Sequence, residues 1–328
     1  MKAAIFKGKG CIKIEEVPKP EIGENDVLLK VKASGICGSD LHMYREGMFS
    51  EILCLPTEYG LIPGHEVSGE VVEVGKKVAG IQNGDRVYAF VVGGMAEYGQ
   101  VFNAVLNESV YLLPDNLSYS EATTIEPLAN SMYATQLGKP ASGETIAIFG
   151  AGTIGLGILQ CIKASAIESQ KIFVIDVLDY RLKVAKELGA DETLNAAEDD
   201  VYQEVLKHTG MGLVNIIYDG VGYIKGCPGE PVIKQALSIA GVQGRIIANG
   251  LFEAPVSIDL EPLVEKQVQI IGSYMYTTEE LKKCAEMVGS QKIDRKPIIT
   301  HEFSLNNIEE AFEAPTKADN VIKIILKP

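Results

Sequence analysis

The apolar positions of the chain change rhythm part-way along it. In the first third they come as short β-branched runs. Residues 27–33 and 70–74 are two of them, each with glycine close by, and Asn83-Gly84-Asp85-Arg86-Val87 reads as a turn feeding a further strand. Strands at this spacing, with Gly and Pro between them, predict a barrel-like or folded-sheet domain. From residue 128 onward, apolar strands alternate with helical segments. Strands are expected over 145–149, 171–175, 214–218, 244–248 and 268–272, and helices over 154–165, 180–188 and 231–240. Alternating βαβ units make a doubly wound parallel sheet, so the fold class is α/β: a Rossmann-type domain beside a β-rich one. Helices over 278–288 and 306–314 and a strand over 321–326 follow. That tail is too long for one more βα unit and is expected to return to the first domain. The expected domains are 1–127 with 274–328, and 128–273.

Composition narrows the function classes. At 328 residues, 46% hydrophobic and 23% charged, the chain suits two globular domains and excludes intrinsic disorder. Lys and Arg number 30 against 44 Asp and Glu, a net charge of −14. So acidic a surface repels phosphate backbones and argues against nucleic-acid or anionic-membrane partners. The longest uncharged run, 145–162, is short for a membrane span and carries Gly150, Gly152, Gly155 and Gly157, so it reads as a buried strand and helix. The six cysteines have no CxxC spacing, and the N-terminus lacks an export signal's apolar core. Free thiols in a reducing cytoplasm are the expectation.

Gly150-Ala151-Gly152-Thr153-Ile154-Gly155 fits GxGxxG, directly after one expected strand and opening a helix. Gly150 permits the tight turn, Gly152 lets a pyrophosphate approach the backbone, and Gly155 packs helix on strand. The N–H groups of Thr153 and Ile154 then lie at a positive helix end suited to phosphates. Asp176 ends the next strand, 176 − 155 = 21 residues past the third glycine. A carboxylate there accepts ribose hydroxyls and repels a 2′-phosphate, which favours NAD over NADP; Arg181, five residues on, pulls the other way. Asp219-Gly220-Val221-Gly222 follows another strand, which places Asp219 and Val221 at the cofactor edge of the sheet.

Only four histidines occur, and two sit in the Gly-rich first domain, in Gly35-Ile36-Cys37-Gly38-Ser39-Asp40-Leu41-His42 and Gly64-His65-Glu66. Zinc accepts thiolate, imidazole and carboxylate, and a catalytic site leaves one position open. Cys37 and His65 supply the first two, and Glu66 or the distant Glu126 the third. By spacing alone, a small buried cysteine and a hydrogen-bonded core histidine explain these residues as well.

These segments, with 84–87, Gly93-Gly94-Met95-Ala96-Glu97-Tyr98, Glu126-Pro127-Leu128 and the nucleotide motif, fall in one order along nearly the whole chain. Together they resemble the zinc-dependent medium-chain dehydrogenase/reductase family, the alcohol dehydrogenase superfamily. The carboxylate at 126 is similar to the sorbitol and threonine dehydrogenase branch. The resemblance implies a GroES-like catalytic domain and hydride transfer from a secondary alcohol or polyol to NAD. It implies Cys37 and His65 as zinc ligands, and Glu126 and Glu66 as carboxylates that bind or exchange. It further implies Asp40 behind the His65 ring, Ser39 and His42 as the proton relay, and a homodimer or homotetramer. Residues Met43, Tyr44 and Phe49 fall where the family borders its substrate pocket. One departure is plain: no cysteine lies between Cys54 and Cys161, so the family's structural zinc is expected to be absent and one catalytic zinc per chain is expected. Two other readings compete, a metal-free NADPH-dependent quinone or enoyl reductase of the same fold and a non-catalytic nucleotide-binding protein. Cys37, His65 and Asp176 weigh against the reductase, and the intact ligand and relay residues against the non-catalytic protein.

Overall fold

The computed structural model describes residues 1–209, 213–226, 229–317 and 320–328, so Cys227 lies outside the described residues. These divide into two compact units, Met1–Pro127 with Leu281–Pro328, and Leu128–Glu280. The chain leaves the second unit after Glu280, later than the crossing expected at 273.

In the first unit, a seven-stranded sheet and a four-stranded sheet carry the framework. The central strand of the larger sheet is Val27–Gly35, antiparallel to Glu66–Val74, Tyr98–Val101 and Lys323–Lys327. Its alternate residues Val27, Leu29 and Val31 pack with Val67, Val71, Val87, Val101 and Val110, the period-two burial that β-branched runs favour. Register shifts at Leu28/Leu29 and Val31/Ala33 bend this strand. At its end, Gly35 stands opposite Glu66 on one side and Ile325 on the other. The C-terminal strand is thereby stitched beside the segment that leads to Cys37.

The stretch 43–62, expected at a pocket border, carries regular structure of its own. It completes the helix Gly38–Glu46, forms a short helix Ser50–Leu53, and adds the hairpin Leu55–Thr57/Gly60–Ile62 to the edge of Lys2–Gly8. Met43 packs with Phe6 and Cys54 in the core. Tyr44 tilts against Phe312 with ring centroids 5.3 Å apart. Met43 is buried, whereas Tyr44 is half-buried against the C-terminal helix Ile308–Lys317.

The second unit is a six-stranded sheet with every pair parallel. Counted along the chain, its strands lie in the order 3-2-1-4-5-6, the doubly wound arrangement. The strand Thr145–Phe149 sits at the point where that order reverses. Of its neighbours, one ends opposite it at Asp219 and the other one residue beyond it at Asp176, and Ala248 ends beside Asp219. All the loops that follow these strands therefore emerge along one edge. A core of Ala147, Phe149, Phe173, Ile175, Ile217 and Ile246 packs beneath the helices. Sequence reading overlooked the strand Glu192–Asn195, which is only four residues long, and the helix Val201–Thr209, whose Val201 and Val205 stand one turn apart on the buried face. Among the described residues, no helix is long and apolar enough to cross a membrane.

Candidate active site

Cys37 caps the helix Gly38–Glu46 two residues after the central strand ends. Its backbone N–H donates to Asp40 Oδ2 at 2.8 Å, so the third helical residue folds back and fixes the turn that presents the thiol. His65 and Glu66 enter at the start of the paired strand, after Gly64 in a left-handed turn (φ 95°) where Met95 leaves no room for a side chain. The ligand atoms of Cys37, His65 and Glu66 lie within 4.8 Å of one another. Glu126, in the helix Ile125–Gly138, is not in that set, though its charge reaches His65.

His65, Glu66 and the neighbouring Asp40 are buried more deeply than an isolated ionisable side chain tolerates, while Cys37 and Glu126 are half-buried. Burial pulls the His65 imidazole down, but the Cys37 sulfur and the carboxylates of Asp40 and Glu126 outweigh it and hold it well above its usual value. Asp40 is pushed up, first by burial and further by Glu66, against the pull of His65 and the Cys37 N–H. Asp40 Oδ1 stands 3.9 Å from His65 Nδ1, longer than a hydrogen bond. His65 Nδ1, Glu66 Oε1 and Ser39 Oγ are buried with no hydrogen-bond partner. A half-buried thiol gathered with a buried imidazole and a buried carboxylate, with polar atoms still unsatisfied, forms the donor set that zinc takes.

His42 is buried one turn along the same helix, its Nδ1 3.5 Å from Arg45 Nη2. One side chain beside the cluster escaped sequence reading: Lys323, buried against Glu66. It comes from the C-terminal strand, with no local motif to announce it.

The glycine loop of the second unit has the geometry its spacing implies. Gly150 is left-handed (φ 91°), and a side chain there would strike Val221. A Cβ on Gly155 would overlap the Gly150 carbonyl oxygen, so helix and turn touch only because position 155 is glycine. Gly152 starts the helix Thr153–Ala164 without a side-chain cap, and the space over it meets only Arg181 Nη1 at 3.8 Å. That open, electropositive helix end fits a dinucleotide pyrophosphate. Asp176 is partly committed to the protein. Its Oδ2 accepts from Ala151 N at 2.6 Å and its Oδ1 from Val177 N and Leu178 N at 2.8 and 3.0 Å. Arg181 Nη1 stands 3.9 Å from Oδ2. Asp219 is fully buried and turned inward, accepting from Val221 N and Gly222 N at 3.0 and 2.8 Å. Burial pushes its carboxyl up, opposed by those two bonds. It shapes the loop, and Val221 is the residue that loop exposes.

Comparison with known proteins places this geometry. A family model described as an alcohol dehydrogenase GroES-like domain matches residues 23–107, and one described as a zinc-binding dehydrogenase matches 153–290. The chain is 30% identical over 354 residues to an L-idonate 5-dehydrogenase of Vitis vinifera, covering 98% of this chain and 93% of that one. It is a zinc-type medium-chain dehydrogenase of the sorbitol dehydrogenase branch. The dehydrogenase is also 29% identical over 359 residues to a sorbitol dehydrogenase of Bacillus subtilis (strain 168), covering 100% and 97% of the two chains. The crystal structure of a 2R,3R-butanediol dehydrogenase from Bacillus subtilis superposes with a TM-score of 0.84 at 29% identity, covering 100% and 99%. The dehydrogenase is thus an oxidoreductase acting on a small molecule. Its Cys37, His65 and Glu66 fall inside the GroES-like match, Asp176 and Asp219 inside the other, and Glu126 in neither.

Proposed function

We propose that this dehydrogenase oxidises a secondary alcohol within a polyol or vicinal diol to the carbonyl compound, using one catalytic zinc per chain and NAD. The observation that carries the reading is the convergence of a half-buried Cys37 with the buried His65 and Glu66 around unsatisfied polar atoms. When bound, zinc supplies a Lewis acid for a substrate hydroxyl and NAD supplies the hydride acceptor. Cys37, His65 and Glu66 would hold the metal, with Glu126, whose charge reaches His65, as the alternative carboxylate. Asp40 orients the cluster by tying the Cys37 backbone and facing His65. Ser39 Oγ, buried and unpartnered, takes the hydroxyl proton, and His42 passes it outward. The Arg45 guanidinium can only donate toward His42 Nδ1, which leaves Nε2 as the ring atom carrying the proton in the neutral form. Gly150, Gly152 and Gly155, with the N-terminal amides of Thr153 and Ile154, would receive the pyrophosphate. Asp176 has a lone pair left on Oδ2 for a ribose hydroxyl and repels a 2′-phosphate; Arg181 and Val221 flank the same edge.

The substrate class rests on relatives named for L-idonate, sorbitol and butanediol, all of which present adjacent hydroxyls. A homodimer or homotetramer is supported by the edge strand Gln269–Gly272, which presents Ile270 beside the exposed Tyr274 and Met275. The five described cysteines are free thiols, which suits a reducing compartment such as the cytoplasm. The test is a panel of polyols, diols and simple alcohols with NAD on metal-analysed protein. NADH formation on a vicinal diol, lost on chelation and restored by zinc, is expected. Full turnover by protein containing no metal would falsify the reading.

A further inference from the structure

The first unit carries a second cleft, lined by none of the residues assigned above to metal, relay or cofactor. It holds about 600 Å³ beside the turn at 118–121 and the strands Ile299–Ser304 and Lys323–Lys327. That is ample for a small molecule, whose sites run from about 300 to 1,000 Å³. Two ion pairs line it. Lys327 Nζ donates to Ser120 Oγ and stands 3.4 Å from Glu302 Oε1, the atom to which the same hydroxyl donates. Lys296 Nζ stands 3.8 Å from Glu121 Oε1, while Glu121 Oε2 accepts from the Ser118 N–H and hydroxyl at 3.1 and 2.6 Å. Ser120 and Glu121 are buried, so the fold fixes one member of each assembly. The two ammoniums and Glu302 reach solvent with bonding capacity to spare, since an ammonium has three N–H groups and a carboxylate about four lone-pair sites. His301 lines the same cleft. Its ring stacks on Phe303 with centroids 6.1 Å apart, and its Nδ1 is buried with no hydrogen-bond partner.

The charges select the ligand. Lys296 and Lys327 against Glu121 and Glu302 leave the cleft neutral, so neither an anion nor a cation gains a net attraction, and the chain's charge of −14 repels anions further. An apolar ligand would strip water from these charges and leave the His301 nitrogen unpaired. A hydroxyl group donates and accepts at once, so it can sit between an ammonium and a carboxylate and satisfy both. Two such pairs and a histidine nitrogen call for several hydroxyls on one molecule. We propose that this cleft is a binding site, separate from the metal cluster, for a neutral polyhydroxylated small molecule of the sugar or polyol class. The cleft owes nothing to the zinc reading, so the site stands if that reading fails.

The test uses the full chain with its isoleucine δ1 methyl groups labelled for NMR, because Ile299 lines the cleft. Ile299→Val identifies the signal. The probe is methyl α-D-glucopyranoside, a neutral glycoside, which should shift the Ile299 methyl saturably. Propan-2-ol at the same concentration, with one hydroxyl, should leave it unmoved. His301→Phe keeps a ring on Phe303 but removes Nδ1, and Lys296→Ala removes an ammonium; each should weaken binding by about fivefold or more. The Lys296 side chain is 67% exposed, so Lys296→Ala tests the site even if His301→Phe does not fold. Absence of a saturable shift up to about 100 mM glycoside overturns the proposal, as does binding that Lys296→Ala leaves intact. An equal shift with propan-2-ol also overturns it, as a general effect of alcohol on the protein. So does a saturable shift with inorganic phosphate and none with the glycoside, which marks an anion site.

Discussion

The glycine loop and the metal cluster are built by opposite means. The loop is contiguous, and its chemistry is mostly backbone: a left-handed Gly150, a Gly155 with no room for a methyl group, and an uncapped helix end. The cluster is assembled from three separate stretches, with Cys37 at a helix cap, His65 and Glu66 at a strand start, and Lys323 on the last strand. Its chemistry is all side chain. Local sterics protect the loop, whereas the cluster depends on charges that balance only when distant segments are in register.

The comparison breaks most sharply at the cluster. Cys37→Ser or His65→Ala should lower kcat by a thousandfold or more, ~4 kcal/mol of transition-state stabilisation, and abolish zinc binding. NADH affinity, read by fluorescence titration, should stay within about threefold, since the loop is built independently. Retained turnover in either variant would remove the metal from the mechanism. On the other side, Gly155→Ala forces a methyl group against the Gly150 carbonyl and should cost about 2–3 kcal/mol by urea denaturation. NADH binding should weaken with it while zinc content stays the same; an unaffected NADH affinity would mean the turn is not the pyrophosphate site.

Smaller effects sharpen the contrast. Asp176→Ala removes an acceptor for three backbone amides and should weaken NAD by about tenfold while narrowing the preference over NADP. An unchanged cofactor ratio would leave Asp176 as a purely structural staple. His42→Ala should slow turnover by about tenfold and flatten the acidic limb of the pH–rate profile with zinc still bound; an unaltered profile excludes the relay. The cluster should also respond to protons. Metal needs the neutral imidazole, and His65 is held well above its usual value, so zinc affinity should fall about tenfold per pH unit below that raised pKa. Chelator competition between about pH 6 and 8 reads this directly. In the metal-free chain, protonated His65 stabilises the fold below its unfolded pKa, and that contribution is lost as pH rises through the raised folded value.

How far each region was legible follows from the same difference. The strands 145–149 and 171–175, the glycine turn and Asp176 could be read because their signal lies within one βαβ unit. Cys37 and His65 could be listed from composition, yet nothing local showed that they meet. Met43 and Tyr44 were legible as apolar residues, but an apolar residue looks the same whether it lines a pocket or packs under a hairpin, and only the structure shows their partners Cys54 and Phe312. Asp219 was placed at the right edge, but its inward turn depends on the amides of Val221 and Gly222.

By itself the sequence determined the parallel α/β half, the nucleotide turn and the inventory of metal-binding side chains, since periodicity and short-range sterics act over a few residues. Only the tertiary structure decided that Glu66, and not Glu126, stands in the tight group with Cys37 and His65. It alone decided that a lysine 257 positions further along, 323 − 66, neutralises Glu66. A buried charge is tolerable only beside its partner, and which partner arrives is set by strand register across the sheet.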